Sequence, residues 1–168
     1  LEPSGVDRFL VGQGPGSFSG IRAALALAQG LALPKNSATS ANSASSAAVF
    51  GLPSAIALTR DGAKVAVVGD ARRERFWVIL YDGTKTVKDF DLVAKDGLAA
   101  AVPDGYCVMT PDGARIETLL KAVFPKSYAG SAVPLAARLA EIAEAEPALL
   151  KPEPLPIYLQ PAVRPVEK

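Results

Sequence analysis

Near the start of this chain, Gly14-Pro15-Gly16-Ser17-Phe18-Ser19-Gly20 puts three glycines and two hydroxyls directly after an apolar run, Phe9-Leu10-Val11-Gly12. A segment of almost nothing but Ala and Leu follows, from Ile21 to Leu33. The pattern reads as strand, glycine turn and helix. Backbone N–H groups left free at a helix start point outward and favour anions. Gly14, Gly16 and Gly20 can take positive φ and let a ligand or a second backbone come close. Pro15 stiffens the turn, and Ser17 or Ser19 can cap the helix. One reading is therefore a phosphate or nucleotide loop built from Gly14, Gly16, Ser17 and Gly20. The other is a tight turn whose glycines only permit close packing. The loop lacks the Lys of a P-loop. The residues alone leave both readings open.

A second group with chemical potential is Asp70-Ala71-Arg72-Arg73-Glu74-Arg75, between two apolar runs. Asp70 is a candidate carboxylate for a phosphate or metal turn, or one charge of a solvated hairpin tip. The chain has no histidine, which removes the commonest general base and the commonest transition-metal ligand. No metal cluster and no nucleophile–base pair can be read, so a metallopeptidase finds no support. The single cysteine, Cys107, precludes an internal disulfide and suits a reducing cytosol. Lys plus Arg number 18 against 17 for Asp plus Glu, so there is no electrostatic case for strong direct binding of nucleic acid. The Ala-rich helix stops at Pro34 and carries Arg22 and Gln29, too short and too polar to span a membrane. A cytoplasmic chain is expected.

The elements that position these residues alternate between strand and helix, which argues α/β layers. At 168 residues the chain can hold one good core or two small lobes. After Pro34, a short strand near Ala38 to Ser40 is expected. A helix capped by Ser40 or Asn42 should then run to about Phe50 and break at Gly51-Leu52-Pro53. Ser54 to Leu58 can add a further turn or two. Lys64 to Asp82 reads as a hairpin of buried strands, and Asp82-Gly83 leads into a weaker strand, Thr84 to Leu92. Lys95 to Val102 is a weak helix. Tyr106 to Met109 is a short strand in which Cys107 is buried packing. Asp112 to Phe124 is an amphipathic helix with Ile116, Leu119, Leu120 and Val123 on one face. A short strand is expected at Ser127 to Ala129. A helix then runs from Pro134 to Glu146 with Leu135, Leu139 and Ile142 inward. The proline-dense tail, Pro152 to Pro161, stays extended.

Placed at 100° per residue, Ala24, Leu27 and Leu31 of the Ala-rich helix lie together and should face a sheet. Arg22, Leu25, Gln29 and Leu33 lie opposite, flanked by Ala26 and Ala32. That outer side holds too few polar groups for a water-facing helix, so a protein interface through Arg22, Leu25, Ala26, Gln29 and Leu33 is expected.

The wording of the glycine segment adds to this. GQGPGSFSGIRAALALAQGLAL closely resembles the hallmark of the TsaB (YeaZ) family, GxGPGSFTGxR followed by an Ala-rich helix ending AxGLA. Gly12, Gly14, Pro15, Gly16, Ser17, Phe18, Gly20 and Arg22 fit it, with Ser19 where Thr is usual; Ala28, Gly30, Leu31 and Ala32 fit the helix end. Asp70-Ala71-Arg72 resembles a second family marker, and Pro156-Ile157-Tyr158-Leu159 a C-terminal one, with Gln160 in place of Arg.

The resemblance implies a two-lobe actin-like ATPase (RNase H-like) fold. The first lobe would be incomplete in this chain, which opens at Leu1-Glu2-Pro3 without the family's earlier strands. Residues 1–60 would be the remainder of the N-terminal lobe, and 61–168 the C-terminal lobe with Tyr158 docked on it. It further implies a non-catalytic scaffold in the complex that installs N6-threonylcarbamoyl on adenosine next to the tRNA anticodon. The implied partners are a TsaD-like catalytic sibling, marked by a His-x-x-x-His metal motif absent here, and a TsaE-like ATPase. The isolated chain would form a homodimer and meet tRNA only through the complex. The chain alone would hold no cofactor; ATP and a divalent metal would belong to the assembly. The competing function is an actin-like phosphotransferase that binds nucleotide on the glycine turn.

Overall fold

The computed structural model describes residues 6–33 and 47–159. The chain forms two compact units, Leu1–Ser54 with Leu139–Tyr158, and Ala55–Arg138 with Leu159–Lys168.

In the first unit, β1 (Arg8–Gly12) pairs in parallel with β2 (Ala48–Leu52), from Arg8 opposite Ala48 to Gly12 opposite Leu52. A two-residue strand, β8 (Lys151–Pro152), closes the other side of β2 in antiparallel sense. Between β1 and β2 runs α1 (Phe18–Ala32). Its inward residues Ile21, Leu25 and Ala28 form a core with Val11, against which Phe9 and Val49 pack. Side chains alternate along a strand, so Gly12 presents the opposite face of the sheet. A Cβ there would lie 3.5 Å from Leu139 of α4 (Ala136–Ala145).

The second unit is a five-stranded sheet in the order β5-β4-β3-β6-β7. An antiparallel meander, β3 (Lys64–Asp70), β4 (Arg75–Asp82) and β5 (Lys85–Ala94), is extended from β3 by parallel β6 (Cys107–Thr110) and β7 (Tyr128–Ser131). The continuous apolar runs of β3 and β4 are those of strands buried on both faces. Ala66, Val68, Phe76, Val78, Leu80 and Val108 pack with Leu98 of α2 (Leu98–Ala101) and with Ile116 and Leu120 of α3 (Gly113–Val123). On the other face Val65, Val67, Ile79 and Tyr81 are equally buried. Trp77 lies edge-on to Phe90, its indole crossing Gly69 where any Cβ would collide with it.

Several expectations are corrected. Residues 48–52 are a strand, not the end of a helix: Val49 and Phe50 suit an extended ladder, and pairing with β1 overrides the helical reading of the small residues before them. The strand near Ala38 to Ser40 and the cap at Ser40 or Asn42 lie outside the described residues. The boundary falls after Ser54 rather than at residue 60, and the chain from Leu139 returns to the first unit instead of belonging with the second. Leu135 is exposed, because α4 begins only at Ala136 and buries Leu139 and Ile142. Cys107 is half-buried rather than buried, at the start of β6.

Candidate functional site

The glycine turn is built by interlocking backbone contacts. Gly14 alone among its glycines takes positive φ, +90°, and a Cβ at that position would collide with Cδ1 of Ile21. Gly16 has ordinary backbone geometry with Ile21 Cδ1 3.8 Å away, and Gly20 is helical. Expected freedom at Gly16 and Gly20 is thus unused; the turn needs a glycine only where the chain passes over Ile21. Ser54 ties the turn to the segment after β2: the Gly14 N–H donates to Ser54 Oγ at 3.0 Å, and the Ser54 N–H to the Gly14 carbonyl at 2.8 Å. Ser17 is the N-cap, its Oγ accepting from the Gly20 N–H at 3.3 Å.

Because the turn seats on Ile21, the inward stripe of α1 is fixed as Ile21, Leu25, Ala28 and Ala32, at spacings of four, three and four. This reverses the expected faces. Leu25, expected outward, is 5% exposed, whereas Leu27 and Leu31, expected against the sheet, are 64% and 45% exposed. Arg22, Ala26, Gln29 and Leu33 are exposed as expected, and so is Ala24. Small Ala28 and Ala32 let the helix lie close to the strands, leaving the large leucines outside. Size was the misleading signal.

Gln13, between β1 and the turn, was not singled out from the sequence. It is 4% exposed. Its Nε2 donates to the Leu155 carbonyl at 2.8 Å and its carbonyl accepts from the Ile157 N–H at 2.9 Å. Its Oε1 has no partner among the described residues. The proline-dense segment is thereby laid along the first unit, and Tyr158 stacks on Phe18 with centroids 4.8 Å apart. Arg22 lies 5.3 Å from the same Phe18 ring. Tyr158 therefore docks on the start of α1, not on the second lobe. An amide between two glycines of a tight turn, with nowhere to point but inward, was the available signal.

Asp70 sits at the end of β3 in the second unit. Its Oδ1 accepts the Arg72 N–H at 2.7 Å, and its Oδ2 lies 3.6 Å from Arg72 Nη1 and 3.7 Å from Arg115 Nε. Its own N–H donates to Asp112 Oδ2 at 2.9 Å, and Asp112 also pairs with Arg115. The bond to Arg72 helps hold a turn in which Arg72, Arg73 and Glu74 all have positive φ, costly for side-chain-bearing residues. Two carboxylates thus meet two guanidiniums. Among the described residues no group of three His, Cys, Asp or Glu gathers as metal ligands, and no helix is long and apolar enough to cross a membrane. Beside this turn an open cleft of about 650 Å³ carries Arg73, Arg75 and Lys95 against Glu74 and Asp96, mixed charge that selects no ligand sign.

Compared with solved structures, the chain is similar to YeaZ from Pseudomonas aeruginosa, with a TM-score of 0.66 over 94% of this chain and 76% of that one, at 21% identity. The chain has the YeaZ fold. It is likewise similar to an uncharacterized protein described by its similarity to peptidase YeaZ from Pseudomonas aeruginosa, with a TM-score of 0.64 over 95% of this chain and 76% of that one, at 22% identity. No family model and no curated protein matches the chain. The YeaZ fold accounts for the mixed α/β layers and for the expected actin-like (RNase H-like) class. Within it the glycine turn opens α1 of the first unit, and Asp70 ends β3 of the second.

Proposed function

We propose that this chain is a TsaB-type, non-catalytic subunit of the assembly that makes threonylcarbamoyladenosine in tRNA, and that it works by docking a TsaD-like catalytic sibling on the outer side of α1. The observation that carries this is the helix's unburied apolar side. Leu27 and Leu31 lie together on one flank of α1, 64% and 45% exposed, while the adjoining Leu33, 69% exposed, and Phe18, 41% exposed beneath Tyr158, lie on the other flank. A helix apolar on both sides is normally covered on both, and clustered exposed apolar groups mark interaction surfaces. Exposed Arg22, Ala26 and Gln29 lie on the flank with Leu33. Without the sibling, a second copy of the chain would take the same side. ATP, the divalent metal and a TsaE-like ATPase belong to the assembly, and tRNA is met only through it. The fold and the glycine-segment wording support this reading.

The phosphotransferase reading is weaker. Ser17 Oγ is engaged in capping and Asp70 in ion pairs, whereas phosphoryl transfer needs carboxylates free to hold metal. The test is Leu27→Glu with Leu31→Glu in the full-length protein, measuring mass in solution and capture of the sibling. Both positions are exposed, so the variant should fold and melt like the wild type while losing self-association and capture. A folded variant that still pairs normally refutes docking on this side, and ATP turnover by the chain alone would restore the phosphotransferase.

A further inference from the structure

The segment that crosses the glycine turn, residues 151–158, is held in a way unlike the rest of its unit. Of its eight residues only Pro154 is buried. Glu153 has φ of +51°, a conformation disfavoured for a residue with a side chain. The amide that grips the segment leaves its own oxygen buried without a partner among the described residues. The attachments are nevertheless specific. Phe50 pairs with Pro152 and Gly51 with Lys151. Gln13 bonds to both Leu155 and Ile157, and Tyr158 stacks on Phe18. Gly51 is the seat: a Cβ there would lie 2.5 Å from Pro154 Cβ and 2.7 Å from Gln13 Cδ. An open cleft of about 440 Å³ bordered by Gln29, Val49 and residues Glu153, Pro154 and Leu155 separates part of the strap from α1.

The geometry points to residues 151–158 as a releasable strap, pinned by Gln13 in the Gly51 seat, that opens independently of the β1–α1–β2 core and uncovers Phe18 and the glycine turn. Little apolar burial, a left-handed Glu153 and an unmet acceptor place it at the low-stability end of its unit. The core beneath it, with Val11, Ile21, Leu25 and Ala28 buried, does not depend on the strap's side chains. Where α1 is the docking side, as proposed above, strap release changes what a partner meets at Phe18 and Arg22. That consequence rests on the docking reading, but the release itself does not.

Amide hydrogen exchange on the full chain tests it without any partner. The Ile157 amide should exchange at least about ten-fold faster than the Leu25 amide, as expected of local opening. Gly51→Ala fills the seat without demanding positive φ, and Tyr158→Ala removes the stack from an exposed site. Each should speed exchange across the strap by roughly ten-fold, the weight of one or two modest contacts, while α1 stays within about two-fold of wild type. Equal exchange at Ile157 and Leu25 would overturn the proposal, because the strap would then open only with the core. So would variants that accelerate α1 and strap together, or that leave the strap unchanged. Should Gly51→Ala fail to fold, Tyr158→Ala alone decides between these outcomes. Sibling capture by the folded variants is a separate measurement: faster strap exchange with unchanged capture keeps the strap and removes its link to docking.

Discussion

Replacing Gly14 by Ala separates a shaped turn from a merely flexible one. At φ of +90°, a residue bearing a Cβ loses about 1–2 kcal/mol to backbone sterics. The new methyl would also strike Cδ1 of Ile21 and lie 3.1 Å from the Gly16 nitrogen. Ile21 is 8% exposed and wedged with Val11, Leu25 and Ala28, so it cannot rotate away without opening a void. Overpacking of this kind costs about 1–3 kcal/mol, for a sum of about 2–5 kcal/mol. At about 2–4 °C per kcal/mol for a chain of this size, the melting temperature should fall by roughly 4–20 °C. Gly16→Ala is the control. Its backbone is ordinary and its nearest neighbour is 3.8 Å away, so it should change stability by no more than about 0.5 kcal/mol. The assay is thermal melting followed by far-ultraviolet circular dichroism, which registers α1. Fluorescence of Trp77 reports the other unit and need not follow. If both variants melt alike, or Gly14→Ala melts like the wild type, the seating of the turn on Ile21 is wrong, and with it the inward stripe of α1.

Leu25→Ala should cost about 2–4 kcal/mol in denaturant titration because it empties a buried site, whereas Leu27→Ala should stay within about 0.5 kcal/mol; the opposite order would mean that the helix faces the other way. Burial first, and the Asp89 carboxylate second, hold the Tyr81 hydroxyl well above the usual phenol range. The folded chain thus keeps this proton more tightly than the unfolded one, so the contribution is intact below about pH 10 and is lost as pH rises beyond it, at about 1.4 kcal/mol per unit. Tyr81→Phe should remove that alkaline loss and, since the hydroxyl has no partner among the described residues, shift neutral-pH stability by no more than about 1 kcal/mol. Coincident stability–pH profiles for the two proteins would show that the hydroxyl is solvated when folded.

The elements that were legible in the sequence carry their own local signal. The hairpin of β3 and β4 was legible because two runs of β-branched and aromatic residues flank a charged turn, and α3 because Ile116 and Leu120 recur at helical spacing. Ser17 was one of two caps that the chain itself allowed. What stayed illegible depends on contacts distant in sequence. No local pattern marks β2 as a strand, since its partner β1 precedes it by the whole of α1. No periodicity could choose the inner face of a helix in which nearly every position is Ala or Leu; that choice falls to Ile21 under Gly14. Tyr158 was rightly expected to pack rather than hang loose, but its partner Phe18 is 140 residues away in sequence, and the links from Gln13 to Leu155 and Ile157 are equally remote.

The two groups with chemical potential turn out to share one property. Ser17 Oγ accepts from the first turn of its own helix, Gly14 is bonded through both backbone groups to Ser54, and Asp70 receives Arg72 while facing Arg115. Ser17 Oγ, Gly14 and Asp70 are thus each engaged in holding the shape of their own turn. To recruit Asp70 for a ligand would break its charge-assisted contacts with Arg72 and Arg115, a cost that the ligand would have to exceed. Leu27 and Leu31, 64% and 45% exposed, have no comparable engagement of their apolar surface: covering them gains free energy without first undoing anything. That asymmetry, more than the absence of histidine, favours a surface that is docked upon over a cleft that transfers phosphate.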